Sequence, residues 1–164
     1  FHEDPYILSK WKLDDKIKSM SQKKIINVYP FNFNSTYRNE NYLFGKIFKG
    51  IINSEKIEIG DISTIKEWTF AGDVVEGIWR LVNQDKIYEA NISSGKGYSI
   101  LDWVKICFDL IGKDYHDYIV ENKNFKAEYQ QLLSDPSLIN SLGFQPKISF
   151  EELAKMMVYG EKER

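Results

Sequence analysis

Cysteine is almost absent from this chain of 164 residues. Cys107 is the only one, so an internal disulfide bond is excluded, and we expect a reducing compartment, the cytoplasm. Its apolar neighbours Ile106 and Phe108 predict a packed core position for the thiol. Histidine is nearly as scarce, and His2 and His116 form no metal-ligand spacing, so no metal site is predicted.

Long apolar runs and an excess of one charge are also lacking. No apolar stretch reaches transmembrane length and no signal peptide is visible, so no membrane partner is expected. The 22 basic and 24 acidic residues are interspersed along the chain, which argues against a nucleic-acid partner. Hydrophobic residues make up 43% of the chain, as in ordinary globular proteins, and the length is that of one domain.

The hydrophobic periodicity predicts an α/β protein. Helices are predicted over residues 5–20, 41–52, 71–82, 99–112, 135–143 and 150–159. Strands are predicted over residues 24–29, 56–59, 67–70 and 88–92. Because a helix followed by a buried strand is typical of parallel sheets, we expect residues 24–29 to be a buried strand of such a sheet.

The ends of three predicted helices carry capping signals. Asp4 is placed to cap the first helix. Ser99 with Asp102, and Ser149 with Glu152, have the spacing of a capping box. The buried face of the helix over residues 71–82 is expected to hold Val74, Val75, Ile78 and Leu81.

Residues 30–39 form a predicted loop that is rich in amide and hydroxyl side chains. The loop directly follows the buried strand, and ligands bind beyond the carboxyl ends of strands in open α/β sheets. We therefore favour ligand contact for this loop, with a plain connection as the alternative. Residues 113–124 are charged and poorly periodic, which predicts no regular element there.

Tyr6 and Lys10 lie four residues apart in the first predicted helix, which places a phenol and an ammonium on one face. Such a pair can transfer a proton if a cofactor and an alcohol or carbonyl group lie nearby. A second match, Tyr42 to Lys46, is present in the chain, and about one is expected by chance. The pair must therefore be judged together with the motifs that follow it.

Four stretches, in this order, carry a resemblance to a known family. They are Tyr6-Ile7-Leu8-Ser9-Lys10; Phe31-Asn32-Phe33-Asn34-Ser35 with Arg38; Gly60-Asp61 with Lys66-Glu67-Trp68-Thr69 and Asp73-Val74-Val75; and Leu142-Gly143-Phe144-Gln145-Pro146 with Phe150-Glu151-Glu152-Leu153. With these motifs the chain resembles the C-terminal half of extended short-chain dehydrogenase/reductases, most closely the GDP-mannose 4,6-dehydratases.

The resemblance implies an α/β fold that forms the C-terminal part of a Rossmann-type enzyme, mostly helices with a few short strands. The N-terminal dinucleotide-binding half is expected to be missing from this chain. Residues 1–30 would be a remnant of the nucleotide-binding sheet, and residues 31–164 a substrate-binding lobe. The resemblance also implies a homo-oligomer.

The implied reaction is dehydration of a nucleotide sugar with NADP or NAD as cofactor. The cofactor takes a hydride from C4, water is lost across C5 and C6, and the hydride returns to C6. Tyr6 would remove the proton of O4, while Lys10 would lower the pKa of Tyr6 and hold the ribose hydroxyls of the cofactor. The other implied roles are substrate binding for Asn32, Lys46, Lys66 and Glu128, and cofactor binding for Ser35 and Arg38.

The chain also departs from the family pattern. The glycine-rich dinucleotide fingerprint, the upstream Ser/Thr and the acid used in elimination are absent. Lys66 and Tyr37 stand where the family has arginine, and Phe125-Lys126 stands where Arg-Pro precedes the acid matched by Glu128. We therefore expect this chain alone to be inactive.

These departures leave the substrate open among GDP-mannose, another GDP-hexose and a GDP-heptose. They also leave two other functions open. One is a related epimerase, decarboxylase or reductase, and the other is a non-catalytic module that binds a sugar nucleotide.

Overall fold

The computed structural model describes residues 4–20, 25–39 and 42–160. Its helices are α1 (Pro5–Ser19), α2 (Leu43–Asn53), α3 (Ala71–Val82), α4 (Ile100–Leu110), α5 (Ser137–Ser141) and α6 (Phe150–Tyr159). Its strands are β1 (Asn27–Pro30), β2 (Phe33–Asn34), β3 (Ile57–Ile59), β4 (Ile65–Glu67), β5 (Thr69–Phe70), β6 (Glu89–Ile92), β7 (Gly97–Ser99), β8 (Ile119–Glu121) and β9 (Gln131–Leu132). A 3-10 helix spans Tyr115–Asp117.

The strands form several small sheets, and most of their pairs are parallel. β1 pairs with β6, β2 with β5 and β3 with β8, all in parallel. β4 lies between β7, which is antiparallel to it, and β9, which is parallel to it. The predicted α/β class is confirmed, with more short strands than the sequence patterns indicated.

Helix α3 packs on the β1–β6 pair through one apolar face. Val74 and Leu81 of the helix are buried with Ala90 and Ile92 of β6. The prediction that Val75 lies on this face is wrong, because its side chain is 64% exposed. A step of one residue turns a helix by about 100°, which carries Val75 beyond the edge of the face formed by Val74, Ile78 and Leu81.

A second core is built mainly from aromatic rings. Trp68 and Trp103 stack with their ring centroids 5.3 Å apart, and Phe44 meets both rings edge-on at 4.6 and 4.5 Å. The indole N–H of Trp68 donates a hydrogen bond to the Tyr98 carbonyl at 3.0 Å, so its polar atom is satisfied inside the core. Cys107 lies in the same cluster and is 2% exposed, as predicted.

The predicted caps fix the helix starts. An oxygen of Asp4 accepts from the amides of Tyr6 and Ile7. Both predicted capping boxes, at the starts of α4 and α6, have both reciprocal hydrogen bonds. The chain leaves α5 through Gly143, whose φ of +74° lies in the left-handed region that favours glycine.

Several sequence predictions need correction. Residues 113–124 contain the 3-10 helix and β8, and the predicted loop over residues 30–39 contains β2. The strand predicted as buried is only half-buried, and α1 has no buried residue although an apolar face was available. The predicted starts of two elements, Lys24 and Asn41, lie outside the described residues.

The division of the chain into two domains at residue 30 stays a prediction. Strand β1 pairs with β6, which lies on the other side of that boundary. In the described ranges, no helix is both long and apolar enough to cross a lipid bilayer.

Candidate functional site

Tyr6 and Lys10 form an exposed pair on the first turns of α1. Tyr6 is 68% exposed, and the Lys10 ammonium lies 5.4 Å from the centroid of its ring. The Asp4 cap holds the backbone of Tyr6 through a 2.7 Å hydrogen bond, so the helix begins just before the phenol. The structure therefore places both predicted catalytic side chains on one open helix face.

A polar cluster attaches the second half of α1 to β1. The Tyr29 hydroxyl donates to the Asp14 carboxylate, which also accepts from the Asn27 amide at 2.8 Å and pairs with Lys18 at 2.8 Å. The hydrogen bonds from Lys18 and Tyr29 lower the pKa of Asp14. Partial burial, followed by the Asp14 hydrogen bond, raises the pKa of Tyr29 to about 12.

A groove of about 310 Å³ lies where the chain leaves β1, and we call it the β1 groove. Asn32 and Arg38, a predicted substrate residue and a predicted cofactor residue, both line it together with Phe33 and Leu132. The Arg38 guanidinium reaches the Phe33 carbonyl at 3.4 Å and lies 4.3 Å from the centroid of the Tyr42 ring.

Ser35 shapes the loop at the β1 groove. Its hydroxyl accepts from the Tyr37 amide at 3.3 Å, and its carbonyl accepts from the Arg38 amide at 3.0 Å. These bonds close a turn, the usual use of a serine in this setting. Ser35 therefore holds the backbone from which Arg38 extends.

A second cavity, of about 380 Å³, lies between β4 and residues 125–130, and we call it the β4 pocket. Its lining includes two predicted substrate residues, Lys66 and Glu128. Phe125, Lys126 and Tyr129 also line it, and the Lys66 ammonium lies 5.5 Å from the centroid of the Tyr129 ring.

Asp61 ties the two walls of the β4 pocket together. Its carboxylate accepts from the amide and the hydroxyl of Ser63 and from the side-chain amide of Gln130, at 2.9, 2.6 and 2.9 Å. The Ser63 and Gln130 hydrogen bonds lower the pKa of Asp61. The Gln130 carbonyl also accepts from the Ile65 amide at 2.8 Å, which aligns the segment with β4.

The predicted residues thus fall into three groups. Tyr6 and Lys10 form one group, the β1 groove holds a second, and the β4 pocket holds a third. Lys46 is exposed on α2 and, within the part of the chain that the structure describes, lines neither cavity.

The sequence patterns did not identify Lys126 and Tyr129 as residues of the β4 pocket. The alternation of aromatic and charged side chains in Phe125-Lys126-Ala127-Glu128-Tyr129 was the available signal. The described ranges bring together no group of three or more histidine, cysteine, aspartate or glutamate side chains suited to a metal ion.

Two buried carboxylates near the site have structural partners. Glu67 accepts from the Gly95 amide at 2.7 Å and from the Ser134 amide at 2.5 Å. Asp73 accepts from the amides of Lys147 and Ile148, each at 3.1 Å. Because backbone amides of distant loops donate to both groups, each carboxylate ties its own strand or helix to a loop.

Known proteins share both the sequence pattern and the fold of this chain. Residues 3–157 match the family model described as GDP-mannose 4,6 dehydratase. GDP-mannose 4,6 dehydratase 2 from Arabidopsis thaliana is 30% identical over 136 residues, which cover 78% of this chain and 36% of that protein. GDP-mannose 4,6 dehydratase 2 from Caenorhabditis elegans is 29% identical over 152 residues, which cover 78% of this chain and 40% of that protein.

Among solved structures, dTDP-glucose 4,6-dehydratase from Bacillus anthracis in complex with NAD superposes with a TM-score of 0.84. The alignment has 18% identity and covers 96% of this chain and 51% of that chain, so it shows the shared fold. The chain thus spans well under half of these two curated relatives and about half of this solved structure.

Proposed function

The chain belongs to the GDP-mannose 4,6 dehydratase family within the extended short-chain dehydrogenase/reductases, and from this premise we propose that it forms the substrate-binding part of a nucleotide-sugar 4,6-dehydratase. The observation that supports this most directly is the Tyr6–Lys10 pair. Both side chains are exposed on one face of α1, with 5.4 Å between the ammonium and the ring centroid. An open phenol beside a cation suits removal of a hydroxyl proton.

The proposed reaction removes one water from the sugar and leaves the cofactor unchanged overall. A bound NADP or NAD would accept the hydride from C4 and return it to C6. Tyr6 takes the proton of the O4 hydroxyl as C4 is oxidised to a ketone, and the ketone makes the C5 proton acidic enough for elimination across C5 and C6. Lys10 places its positive charge 5.4 Å from the centroid of the Tyr6 ring and would hold ribose hydroxyls of the cofactor.

The β1 groove suits the junction of sugar and cofactor. Asn32 offers an amide to the hydroxyl groups of the sugar, and Arg38 offers a guanidinium to the cofactor. Among the described residues, one N–H of Arg38 donates to a carbonyl, that of Phe33 at 3.4 Å, and the guanidinium suits the phosphates of a dinucleotide. Ser35 supports Arg38 from the turn beneath it.

The nucleotide end of the substrate is assigned to Lys46, Lys66 and Glu128. Lys66 and Glu128 share the β4 pocket, where an ammonium can pair with phosphate and a carboxylate can accept from hydroxyl or N–H groups. GDP-mannose fits this proposal, as does another GDP-hexose or a GDP-heptose.

Assembly into a homo-oligomer and a cytoplasmic location are parts of the same proposal. Leu8, Trp11 and Leu13 of α1 are each between 39% and 55% exposed, and apolar surface of this kind favours contact with another chain. The single, buried cysteine suits a reducing compartment.

The test is activity of the polypeptide that carries this chain in its native cells, identified by immunoblot. With GDP-mannose and NADP, mass spectrometry should detect loss of one water from the sugar nucleotide. Tyr6→Phe and Lys10→Met should each lower kcat at least about 100-fold, the usual scale of a lost acid–base group. Tyr115→Phe and Lys12→Met remove an equivalent group elsewhere and should leave kcat unchanged.

Each other outcome points to a different function. Conversion of the sugar without loss of mass would indicate an epimerase. Unchanged activity of Tyr6→Phe and Lys10→Met would indicate that these are ordinary surface residues of a binding module. We expect the 164-residue chain alone to show no turnover, because its sequence contains no glycine-rich dinucleotide fingerprint. Measurable dehydratase activity of that chain would contradict this.

A further inference from the structure

The Tyr6–Lys10 pair stands on a helix with no buried residue. The side chains of α1 that face the rest of the chain are only half-buried, so packing alone holds this helix weakly. The polar contacts of α1 therefore help to decide where the phenol and the ammonium lie relative to a substrate. The hydrogen bonds between Asp14 and β1 are contacts of this kind.

Asn27 and Tyr29 of β1 face α1. Val28, between them, packs against the core cluster under α3 on the other face of the strand. The Asp14 carboxylate accepts from the Asn27 amide at 2.8 Å and from the Tyr29 hydroxyl, and this hydroxyl also accepts from the Asn27 amide. The three polar side chains thus form a closed junction between helix and strand, which we call the Asp14 junction.

Helix α1 runs antiparallel to β1. Lys18 pairs with Asp14 at 2.8 Å, and its pKa is raised first by this bond and further by the charge of Glu89. Glu89 is the register partner of Asn27 at the start of β1. The C-terminal half of α1 therefore lies beside the start of the strand, and the N-terminal half points towards its end.

The lengths of helix and strand bring the Tyr6–Lys10 pair level with the β1 groove. A helix rises about 1.5 Å per residue, so Lys10 and Tyr6 lie about 6 and 12 Å beyond Asp14. An extended chain rises about 3.3 Å per residue, so Asn32 lies about 10 Å beyond Tyr29 in the same direction. Asn32 lines the β1 groove, so the Asp14 junction is a shared reference point for the pair and the groove.

The junction and the pair also share one side of α1. Each residue turns a helix by about 100°, so Lys10 lies about 40° and Tyr6 about 80° around the axis from Asp14. Ile7 lies about 20° from Asp14 by the same count and is half-buried, so this side meets the rest of the chain near the helix start as well. A tilt of α1 about the junction would therefore displace Tyr6 more than Lys10.

We propose that Asp14 is a positioning residue of the dehydratase reaction. Through Asn27 and Tyr29 it sets the angle of α1 on β1, and this angle sets the distance from Tyr6 to a sugar hydroxyl in the β1 groove. The inference rests on the proposed function and adds to it a residue that acts only through the helix. Because a misplacement of about 1 Å can cost about 100-fold in rate, a loosened junction should lower kcat.

Kinetics of the polypeptide that carries this chain, with GDP-mannose and NADP, test this role. Asp14→Ala removes the acceptor of the junction and should lower kcat about tenfold. The KM for GDP-mannose should stay within about twofold, because the nucleotide end is assigned to the β4 pocket. Asp14→Asn keeps one acceptor oxygen and should recover part of kcat. Tyr29→Phe should act like Asp14→Ala, and the double variant should lose no more than either single variant.

Two matched controls separate positioning from a general effect. Asp15→Ala removes a carboxylate from the next, exposed position of α1. Tyr159→Phe removes a hydroxyl that donates to the Leu110 carbonyl at 2.6 Å, between α6 and α4. Both should leave kcat unchanged. Rates are divided by the folded fraction from circular dichroism, because a variant that only destabilises the fold lowers the amount of enzyme and not the kcat of folded molecules.

A distance measurement on the 164-residue chain reports the position of α1 without any reaction. Nitroxide labels on Ser9→Cys and Lys123→Cys, at two exposed positions, give a distance distribution by pulsed electron paramagnetic resonance. Cys107 is buried and should stay unlabelled. The distribution should be narrow in the chain with an intact junction and broader in Asp14→Ala, whereas Asp15→Ala should leave it narrow.

Two results would overturn the inference. One is an unchanged kcat of Asp14→Ala in an active enzyme, and the other is an equally narrow distance distribution in that variant. Either result leaves the proposed function standing. If the unaltered polypeptide removes no water from GDP-mannose, the proposed function fails, and the positioning role fails with it.

Discussion

Lys66 and Glu67 are neighbours on β4, and their side chains lie on opposite faces of that strand. Lys66 lines the β4 pocket, whereas Glu67 is completely buried and binds the amides of Gly95 and Ser134. Alternation of side chains along a strand produces this arrangement. The Lys66 side chain is therefore held at the β4 pocket by a strand whose next residue, Glu67, is anchored in the core.

Replacing Glu67 with glutamine should destabilise the fold. The substitution turns one acceptor of the carboxylate into an N–H donor, which would face a backbone N–H donor of Gly95 or Ser134. Leaving a buried donor unsatisfied costs about 1–3 kcal/mol, so the free energy of unfolding should fall by that amount. Urea denaturation measures it. Glu55→Gln, at an exposed position, is the control, and equal stability of the two variants would contradict the anchoring role.

The attachment of α1 to β1 should weaken in acid. The pKa of Asp14 is lowered in the folded chain, so its contribution is present above the ordinary aspartate pKa of about 4 and is lost as the pH falls through the lower folded value. The pKa of Tyr29 is raised to about 12, so its contribution is complete below about 10 and is lost as the pH rises towards 12.

Amide hydrogen exchange of α1, followed by mass spectrometry, tests this pH dependence. At neutral pH, Asp14→Asn should increase exchange in the helix relative to the unaltered chain. The difference between the two chains should shrink as the pH falls below the ordinary aspartate pKa of about 4, once intrinsic rates are corrected, and vanish as Asp14 becomes protonated at its lowered folded pKa. Asp15→Asn changes the same charge at the next position and should have no such effect. The interpretation fails if Asp14→Asn and Asp15→Asn behave alike at neutral pH.

Cys107 should be unreactive in the folded chain. Burial raises the pKa of its thiol to about 12, and the residue is 2% exposed on α4. Because the thiolate is the reacting form, an alkylating reagent at pH 8 should leave the native chain unmodified and modify it fully in denaturant. Mass spectrometry counts the adduct. Rapid labelling of the native chain would show that α4 opens locally.

Gly60→Ala should displace the Phe125 ring at little cost in stability. The added Cβ would meet the ring at 2.4 Å, and the ring is exposed enough to turn away. We expect a change in the free energy of unfolding below about 1 kcal/mol, measured by urea denaturation. Phe125→Ala removes the ring that the Cβ would meet, so Gly60→Ala should cost less in that variant than in the unaltered chain. Equal costs in the two backgrounds would mean that the Phe125 ring does not limit the space at Gly60.

Local signals predicted the helices better than the strands. The bounds of α3 and α6 match the predicted ranges, because the helical period of both, and the capping box of α6, involve residues that are close in sequence. β8 and β9 were missed because each is only two or three residues long and depends on a distant partner. Val75 was misplaced because it is apolar but lies on the side of α3 away from the face of Val74 and Leu81.

The residues of the candidate site were predictable where the order of the family motifs indicated them. Lys66 and Glu128 were named from the family pattern, and the structure brings them to one cavity. Lys126 and Tyr129 line the same cavity because residues 125–130 run beside β4. The hydrophobic periodicity of a sequence does not indicate such a contact between distant segments. The spacing of Tyr6 and Lys10 sufficed to place them on one face, because helix geometry alone decides it.

The pairing of strands around the β4 pocket sets an order of events during synthesis. Ile57 pairs with Ile119, and Ile65 pairs with Gln131. Neither pair can form until the later strand has left the ribosome, and contacts of such long sequence separation also fold slowly. Lys66 is therefore synthesised long before the wall that faces it. A chain that ends before residue 119 would contain the lysine and lack the pocket.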